Sequence, residues 1–342
     1  MRIGVFSFYK EFNHQNKIFD PEVYTLADHL GEPIIYLRDY FKQQGHTLET
    51  LDMGGLLEFN AYLFLDFPSN DLALLRRLSA ENKKMYLVLF ESEMIKPDNY
   101  MVDNHHWFEK IFTYKPELVK LGGRYQLQLV PQHLENNFIP QQERFKKLVL
   151  IASKKVSKFP GELYSQRYQA IEYFDKNWND QFDFFGFGWD RRVFNSRIVG
   201  KIAKLTRLDK VGAPSYLTYR GTVKRKSEVM TSYDFCLTFE NSSIYENYVT
   251  EKLFDALNCG TLPIYWGAPN ISELLPPDLY VDMRNFESWI QLKAFLASMS
   301  KEEIVSRREK IHSFLKDSAD IPFSKQFFAH AISRTILSGF NN

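Results

Sequence analysis

Short, almost continuous apolar runs alternate with amphipathic segments along the chain, and this alternation restricts the possible folds more than any other feature. Two such runs are AYLFLDF, residues 61–67, and KMYLVLFE, residues 84–91, and the amphipathic DLALLRRLSAE, residues 71–81, lies between them. Continuous apolar runs are typical of strands that are buried on both faces of a parallel sheet, where helices form the crossovers. The sequence therefore predicts βαβ units and an α/β fold.

A polar stretch, NNFIPQQERFK at residues 136–146, divides this alternation into two arrays. The strand pattern restarts at LVLIAS, residues 148–153, and continues to TLPIYWG, residues 261–267. Two successive arrays predict two Rossmann-like, doubly wound domains that face a central cleft. We predict an N-terminal domain over 1–140, a C-terminal domain over 141–325, and a C-terminal helix over 326–342 that is free to pack back on the fold.

Composition excludes several classes of protein. With 44% hydrophobic and 25% charged residues, the chain can bury a core, and it is not expected to be disordered. A net charge of +1 does not indicate a nucleic-acid partner. Two cysteines among 342 residues argue against a disulfide framework and favour a reducing compartment, so we predict a cytoplasmic protein. No apolar run approaches the roughly 18 residues of a membrane span, although peripheral contact with a membrane stays open.

The segment FENSSIYENYVTEK, residues 239–252, is unusually polar for a connection between a strand-like run and a helix-like run. In open α/β sheets, ligands bind at this position, beyond the carboxyl end of a strand. Lys252 lies near the start of the predicted helix, where a cation is disfavoured by roughly 0.3–1 kcal/mol. A phosphate bound at the same helix end would compensate for that cost. From the residues alone, a lysine that points into water is the alternative.

The stretch FCLTFENSSIYENYVTEKLFDALNCGTLPIYWGAPN, residues 235–270, closely resembles the signature of the glycosyltransferase family 10 α1,3/α1,4-fucosyltransferases of bacterial type. Less specific resemblances cover residues 151–174 and 219–235. In the first half, LVLFESE at residues 87–93 resembles a family strand that ends in glutamate, serine and proline, but Glu93 replaces the proline. The resemblance thus covers the carboxyl half well and the amino half thinly.

The resemblance implies a GT-B fold and an inverting transfer of L-fucose from GDP-β-L-fucose to a glycan hydroxyl. The implied linkage is α1,3 to GlcNAc or Glc of a glycoconjugate, in protein glycosylation or lipopolysaccharide biosynthesis. The implied partners are GDP-fucose as donor substrate and an oligosaccharide acceptor, with no permanently bound cofactor. The chain has no D-x-D triplet, which metal-dependent glycosyltransferases use to hold a divalent ion, so we expect no metal requirement.

The same resemblance assigns roles to residues of the predicted donor pocket. Arg167 and Lys252 match the basic pair that binds the diphosphate. Such fixed cations stabilise the negative charge that develops on the departing GDP. Asn241, Tyr248 and Glu251 match positions near the nucleotide and the fucose.

The remaining assignments concern the guanine and the general base. Val223 and Lys226 match a segment that flanks the guanine. Glu91 matches the base that deprotonates the acceptor hydroxyl, and the apolar residues before it suit such a carboxylate. Glu93 is the competing candidate because the local match is imperfect.

Two other functions remain compatible with the sequence. The first is a related transferase that uses another GDP-activated sugar. The second is a non-catalytic module that binds nucleotide sugars. The sequence does not identify the acceptor, since the amino half diverges from the family.

Overall fold

Two parallel β-sheets, one after the other in the chain, organise the structure. The computed structural model describes residues 1–24, 29–192, 206 and 212–340. The first sheet has the strand order β2-β1-β3-β4-β5-β6, and all of its strand pairs are parallel. Its strands are β1 (Arg2–Ser7), β2 (Thr47–Thr50), β3 (Ala61–Leu65), β4 (Lys84–Leu89), β5 (Lys110–Thr113) and β6 (Tyr125–Leu127).

The second sheet is also parallel and has the order β11-β10-β9-β7-β8. Its strands are β7 (Lys146–Ile151), β8 (Phe182–Phe185), β9 (Tyr233–Phe239), β10 (Leu262–Trp266) and β11 (Val281–Asp282). The apolar runs are buried as the sequence predicts: every residue of β3 is buried, and so is every residue of β9 except Asp234. The predicted α/β fold with two parallel sheets is confirmed.

Helices connect the strands and cover the sheets. In the described part of the chain the α-helices are α1 (Glu32–Gln43), α2 (Leu72–Ala80), α3 (Pro116–Lys120), α4 (Tyr164–Asn177), α5 (Lys226–Met230), α6 (Glu251–Asn258), α7 (Ile271–Leu274), α8 (Trp289–Ser298), α9 (Lys301–Lys316) and α10 (Lys325–Ser338). None of these helices combines the length and the apolar composition that a membrane span requires.

The last helix, α10, packs on the first sheet although it follows the second sheet in the chain. Phe328, Ala329, Ile332 and Ile336 are fully buried in the apolar cluster that also contains residues of β1, β3 and α1. Because these four residues recur at intervals of one, three and four, they form one apolar face of the helix. The chain therefore returns to its first domain to complete that domain's core.

A polar cluster ties the segment after β6 to both parts of the fold. Lys325 donates to Glu32 at 3.2 Å and to Nδ1 of His133 at 3.0 Å. Since Nδ1 accepts, Nε2 of His133 carries the proton and donates to Glu135 at 3.0 Å. Burial lowers the pKa of His133, which favours this neutral form. Asn258 of α6 donates to the backbone carbonyl of His133 at 2.9 Å, which links the cluster to the second sheet.

Replacement of the buried aromatic residue of α10 tests the place of this helix in the core. We expect Phe328→Ala to lower the free energy of unfolding by about 3–5 kcal/mol, because it removes a fully buried ring and leaves a cavity. Phe327→Ala is the matched control, since the ring of Phe327 is 39% exposed on the same helix and its loss costs less than about 1 kcal/mol. Urea denaturation followed by circular dichroism measures both. Equal losses would contradict the assignment of α10 to the core.

Candidate active site

A cavity of about 540 Å³ lies between the two sheets. Its walls come from the segments that follow β4, β7, β8 and β9, together with the first turn of α6. The carboxyl ends of both sheets therefore point into one cleft, which is where open parallel sheets bind their ligands.

The structure brings the sequence-predicted site residues together in this cavity. The lining includes Glu91, Arg167, Val223, Lys226, Asn241, Tyr248, Glu251 and Lys252. Glu93, the competing candidate for the base, is not among the described lining residues, and its carboxylate lies 2.8 Å from Nζ of Lys115. The geometry thus places Glu91, and not Glu93, at the cavity.

A close backbone contact shapes the floor of the cavity. Gly186 follows β8 with φ of +142°, and a Cβ atom there would lie 2.0 Å from the carbonyl oxygen of Ala152, after β7. Only glycine tolerates both the conformation and the contact. The GFGW segment, residues 186–189, is thus a tight turn at the end of a strand, and both Gly186 and Ala152 line the cavity.

The guanidinium of Arg167 is held against the end of β9. Arg167 lies on α4 and is 6% exposed. Its Nη2 donates to the carbonyl oxygens of Phe239 at 2.6 Å and Glu240 at 2.8 Å, and to Oδ1 of Asn241 at 3.2 Å. Burial lowers the pKa of Arg167. These contacts fix the orientation of the guanidinium beside the cavity.

A buried carboxylate, Glu240, holds Lys252 at the start of α6. Glu240 is fully buried and accepts hydrogen bonds from the backbone N–H and the hydroxyl of Thr250, both at 2.7 Å. Nζ of Lys252 lies 3.3 Å from Glu240 and 2.9 Å from Oγ1 of Thr250. Burial disfavours the charge of Lys252, but Glu240 and Glu251 outweigh burial and raise its pKa. The unfavourable position of a cation in the first turn is thus compensated within the protein.

Sequence reasoning did not assign a role to Glu240, although it stands inside the quoted motif. The sequence did show that Glu240 is a carboxylate directly after an apolar strand. A side chain at such a position points either into the core or into the ligand site. The missing information was its partner, Thr250, which is ten residues away in the sequence.

Glu251 and Lys226 form a second charged group on the same side. Burial raises the pKa of Glu251, but the charges of Lys252 and Lys226 outweigh burial and bring it to about 2. Lys226 lies 2.7 Å from Asp255 and 4.0 Å from Glu251. Most of the charged side chains that line the cavity from the second domain are cations, namely Lys155, Arg167, Lys224, Lys226 and Lys252. We call this side of the cavity the cationic wall, and its chemistry suits phosphate groups.

Glu91 faces the cavity from the end of β4, and two neighbours hold it. The hydroxyl of Tyr9 donates to Oε1 of Glu91 at 2.5 Å. Asp66, which follows β3, is buried, and its Oδ1 accepts from the backbone N–H groups of Phe90 at 2.8 Å and Glu91 at 3.1 Å. Asn99 also donates to this oxygen, at 2.6 Å. Sequence reasoning missed Asp66, which adopts the left-handed conformation at φ of +61°.

Part of the second half of the chain matches a known protein family. Residues 187–308 match the family described as glycosyltransferase family 10 (fucosyltransferase) C-term. An α-(1,4)-fucosyltransferase of Arabidopsis thaliana is 40% identical over 75 residues, which are 22% of this chain and 18% of the relative. The α-(1,3)-fucosyltransferase FucT of Helicobacter pylori is 42% identical over 67 residues, 20% of this chain and 14% of the relative. The matched segments thus span less than a fifth of either relative.

Comparison with solved structures extends to the whole chain. A crystal structure of an α1,3-fucosyltransferase matches with a TM-score of 0.51 and 16% identity, over 95% of this chain and 92% of the other. An α-glucosyltransferase in complex with UDP-glucose and DNA containing an abasic site matches with a TM-score of 0.60 and 13% identity, over 99% of both chains. At these identities the likeness concerns the fold, and it confirms the predicted GT-B architecture.

The buried carboxylate of Asp66 predicts a specific dependence of stability on pH. Burial and the charge of Glu91 raise the pKa of Asp66 from 3.8 to about 7. The unfolded chain releases this proton near pH 4 and the folded protein near pH 7, so the native state loses stability as the pH rises between these values. Asp66→Asn keeps the accepting oxygen but cannot ionise. Its free energy of unfolding relative to the wild type should therefore rise by roughly 2–3 kcal/mol between pH 5 and pH 8.

Urea denaturation at several pH values measures this difference. Asp180→Asn serves as the control, because it also removes one aspartate but at an exposed position. If the free energies of unfolding of the wild type and of Asp66→Asn change with pH in parallel, the raised pKa of Asp66 is contradicted.

Proposed function

We propose that this chain, whose residues 187–308 match glycosyltransferase family 10, transfers L-fucose from GDP-β-L-fucose to a hydroxyl of a glycan acceptor. One observation carries the proposal. Arg167 and Lys252, which are 85 positions apart in the sequence, line the same cavity, and Glu91 lines it from the other domain. This arrangement offers an anion site for a diphosphate and a carboxylate for the acceptor.

The cationic wall suits the leaving group of this reaction. When the bond between fucose C1 and the phosphate oxygen breaks, negative charge grows on the diphosphate of GDP. Arg167 and Lys252 are already held in place by Glu240, so little reorganisation is needed as that charge develops. Their attraction increases toward the transition state, and such a differential interaction raises the rate. Val223 and Lys226 are proposed to flank the guanine, and Asn241, Tyr248 and Glu251 to contact the nucleotide and the fucose.

Glu91 is the proposed general base. Tyr9 donates to Oε1, and in our proposal Oε2 accepts the proton of the acceptor hydroxyl. The acceptor oxygen then forms a bond to fucose C1 while the bond from C1 to GDP breaks on the opposite face. The displacement inverts the anomeric centre, so β-linked fucose in the donor becomes α-linked fucose in the product.

Two finer parts of the proposal have direct tests. Positive charge at the diphosphate comes from protein side chains, so we expect turnover to persist in excess EDTA. We propose an α1,3 linkage to GlcNAc or Glc, which linkage analysis of the purified product by NMR checks. Turnover that stops in EDTA and returns with a divalent ion would overturn the first part, and an α1,4 product would overturn the second.

A matched pair of glutamine variants tests the base. Glu91→Gln should lower kcat by about 10²–10⁴-fold, because an amide cannot accept the proton. It should leave the Kd for GDP within about twofold, since Glu91 lies on the wall opposite the cations. Glu93→Gln is the control and should retain wild-type turnover, because its carboxylate pairs with Lys115. Turnover in Glu91→Gln together with its loss in Glu93→Gln would reassign the base.

A comparison of two ligands tests the diphosphate site. Lys252→Ala should weaken GDP binding about 10–100-fold, which corresponds to the loss of one charge-assisted contact. The same variant should bind guanosine with nearly wild-type affinity, because guanosine has no phosphate. Isothermal titration calorimetry measures both, and Lys316→Ala, an exposed lysine of α9, is the control. If the variant binds GDP and guanosine with equally reduced affinity, Lys252 determines the shape of the pocket and does not contact the diphosphate.

A further inference from the structure

The cavity wall from the first domain differs sharply from the cationic wall. Besides Val130, its lining residues are Tyr9, Leu30, Phe90, Glu91 and Ile95. Among these described residues only Glu91 carries a charge, and the others are apolar or aromatic. Tyr9, Leu30 and Ile95 are also 37%, 42% and 39% exposed, so their apolar surface is accessible from the cleft. We call these five residues the apolar wall.

Tyr9 is the residue of this wall that is held in a defined orientation. Its ring contacts Phe8 and Phe12 edge to face, with centroid separations of 5.3 and 6.1 Å. Its hydroxyl is anchored on Oε1 of Glu91 at 2.5 Å. Burial and the charge of Glu91 raise the pKa of Tyr9, so the phenol stays protonated and continues to donate. A partly exposed ring therefore stands next to the proposed base.

The chemistry of this wall selects a class of ligand. A pyranose has faces lined by C–H groups, and such apolar faces pack against aromatic rings in the way that other apolar groups do. A carboxylate, sulfate or phosphate on the reacting sugar would instead meet Glu91 without a cation on the same wall. A negative group on the sugar and the carboxylate of Glu91 would repel each other. The cations of the opposite wall could not compensate, because in the proposed function they bind the diphosphate.

We propose that Tyr9 is the acceptor platform: its ring stacks on the apolar face of a neutral pyranose and its hydroxyl orients Glu91 toward the sugar hydroxyl. This inference rests on the proposed function and extends it to the acceptor. The reacting sugar is therefore neutral, and one residue serves two roles that different substitutions separate. The aromatic ring determines acceptor binding, and the hydroxyl determines the position of the base.

Steady-state kinetics of Tyr9→Ala and Tyr9→Phe test the two roles. Tyr9→Ala should raise the KM for a neutral GlcNAc-containing disaccharide at least tenfold and leave the KM for GDP-fucose within twofold. Tyr9→Phe should keep the acceptor KM within about threefold but lower kcat several-fold, since the ring remains and the hydrogen bond to Glu91 is lost. Tyr40→Ala, which removes a partly exposed tyrosine of α1 away from the described cavity lining, should match the wild type. An unchanged acceptor KM in Tyr9→Ala would overturn the proposal.

A pair of acceptors that differ only in charge tests the ligand class. The wild type should use the neutral disaccharide at least tenfold better, by kcat/KM, than the same disaccharide with a 6-O-sulfate on GlcNAc. Equal use of both would overturn the assignment of a neutral acceptor.

Direct binding separates this proposal from the proposed function. Saturation-transfer NMR with GDP present and no donor sugar should detect the neutral disaccharide on the wild type and on Tyr9→Phe, but not on Tyr9→Ala. If the wild type turns over no GDP-fucose but shows this binding pattern, the proposed function fails and only the sugar-binding role of the Tyr9 ring stands. If GDP-fucose is turned over but the binding is the same in all variants, the platform fails alone.

Discussion

Arg167 and Lys252 of the cationic wall are both held by a single residue, Glu240, which directly follows β9. Its backbone carbonyl accepts from Arg167 of α4, and its carboxylate accepts from Thr250 and Lys252 at the start of α6. Two cations from distant parts of the chain thus meet because both bind the same residue. The carboxylate is fully buried, so loss of its partners would leave an uncompensated charge in the protein interior, at a cost of several kcal/mol. This energetic coupling keeps Lys252 in the first turn of α6, where a cation is otherwise unfavourable.

The first domain uses a comparable device for the opposite purpose. Asp66 is buried behind Glu91, as Glu240 is buried behind Lys252. The carboxylate of Asp66 accepts hydrogen bonds from the backbone N–H groups of Phe90 and Glu91, and these bonds position Glu91. In both halves, a hidden carboxylate next to the end of a strand orients a charged side chain that faces the cavity. The difference is in sign. Glu240 stabilises the charge of its neighbour, whereas Asp66 lies close to another carboxylate, and burial together with that neighbour raises the pKa of Asp66 to about 7.

The parts of this structure that follow from local pattern were predictable from sequence. The apolar runs identified the buried strands, and the polar segment at 239–252 identified the end of β9 that lines the cavity. The roles of Glu240, Asp66 and Tyr9 were not predicted from the sequence, because they depend on partners that only the fold brings close. Tyr9, for example, contacts Glu91 across 82 positions. The sequence favoured Glu91 over Glu93 as the base, and the fold adds that the carboxylate of Glu93 pairs with Lys115.

The division of charge between the two walls matches the direction in which charge moves in the proposed reaction. Deprotonation of the acceptor consumes the negative charge of Glu91 on the apolar wall, while departure of GDP creates negative charge beside the cationic wall. The cations therefore interact more strongly with the products of bond cleavage than with the intact donor. Glu91 follows a strand of the first sheet and the cations come from the second domain, so the fold places the two kinds of charge on different sides of the cavity. A GT-B cleft thus lets each wall adopt the charge that its half of the reaction requires.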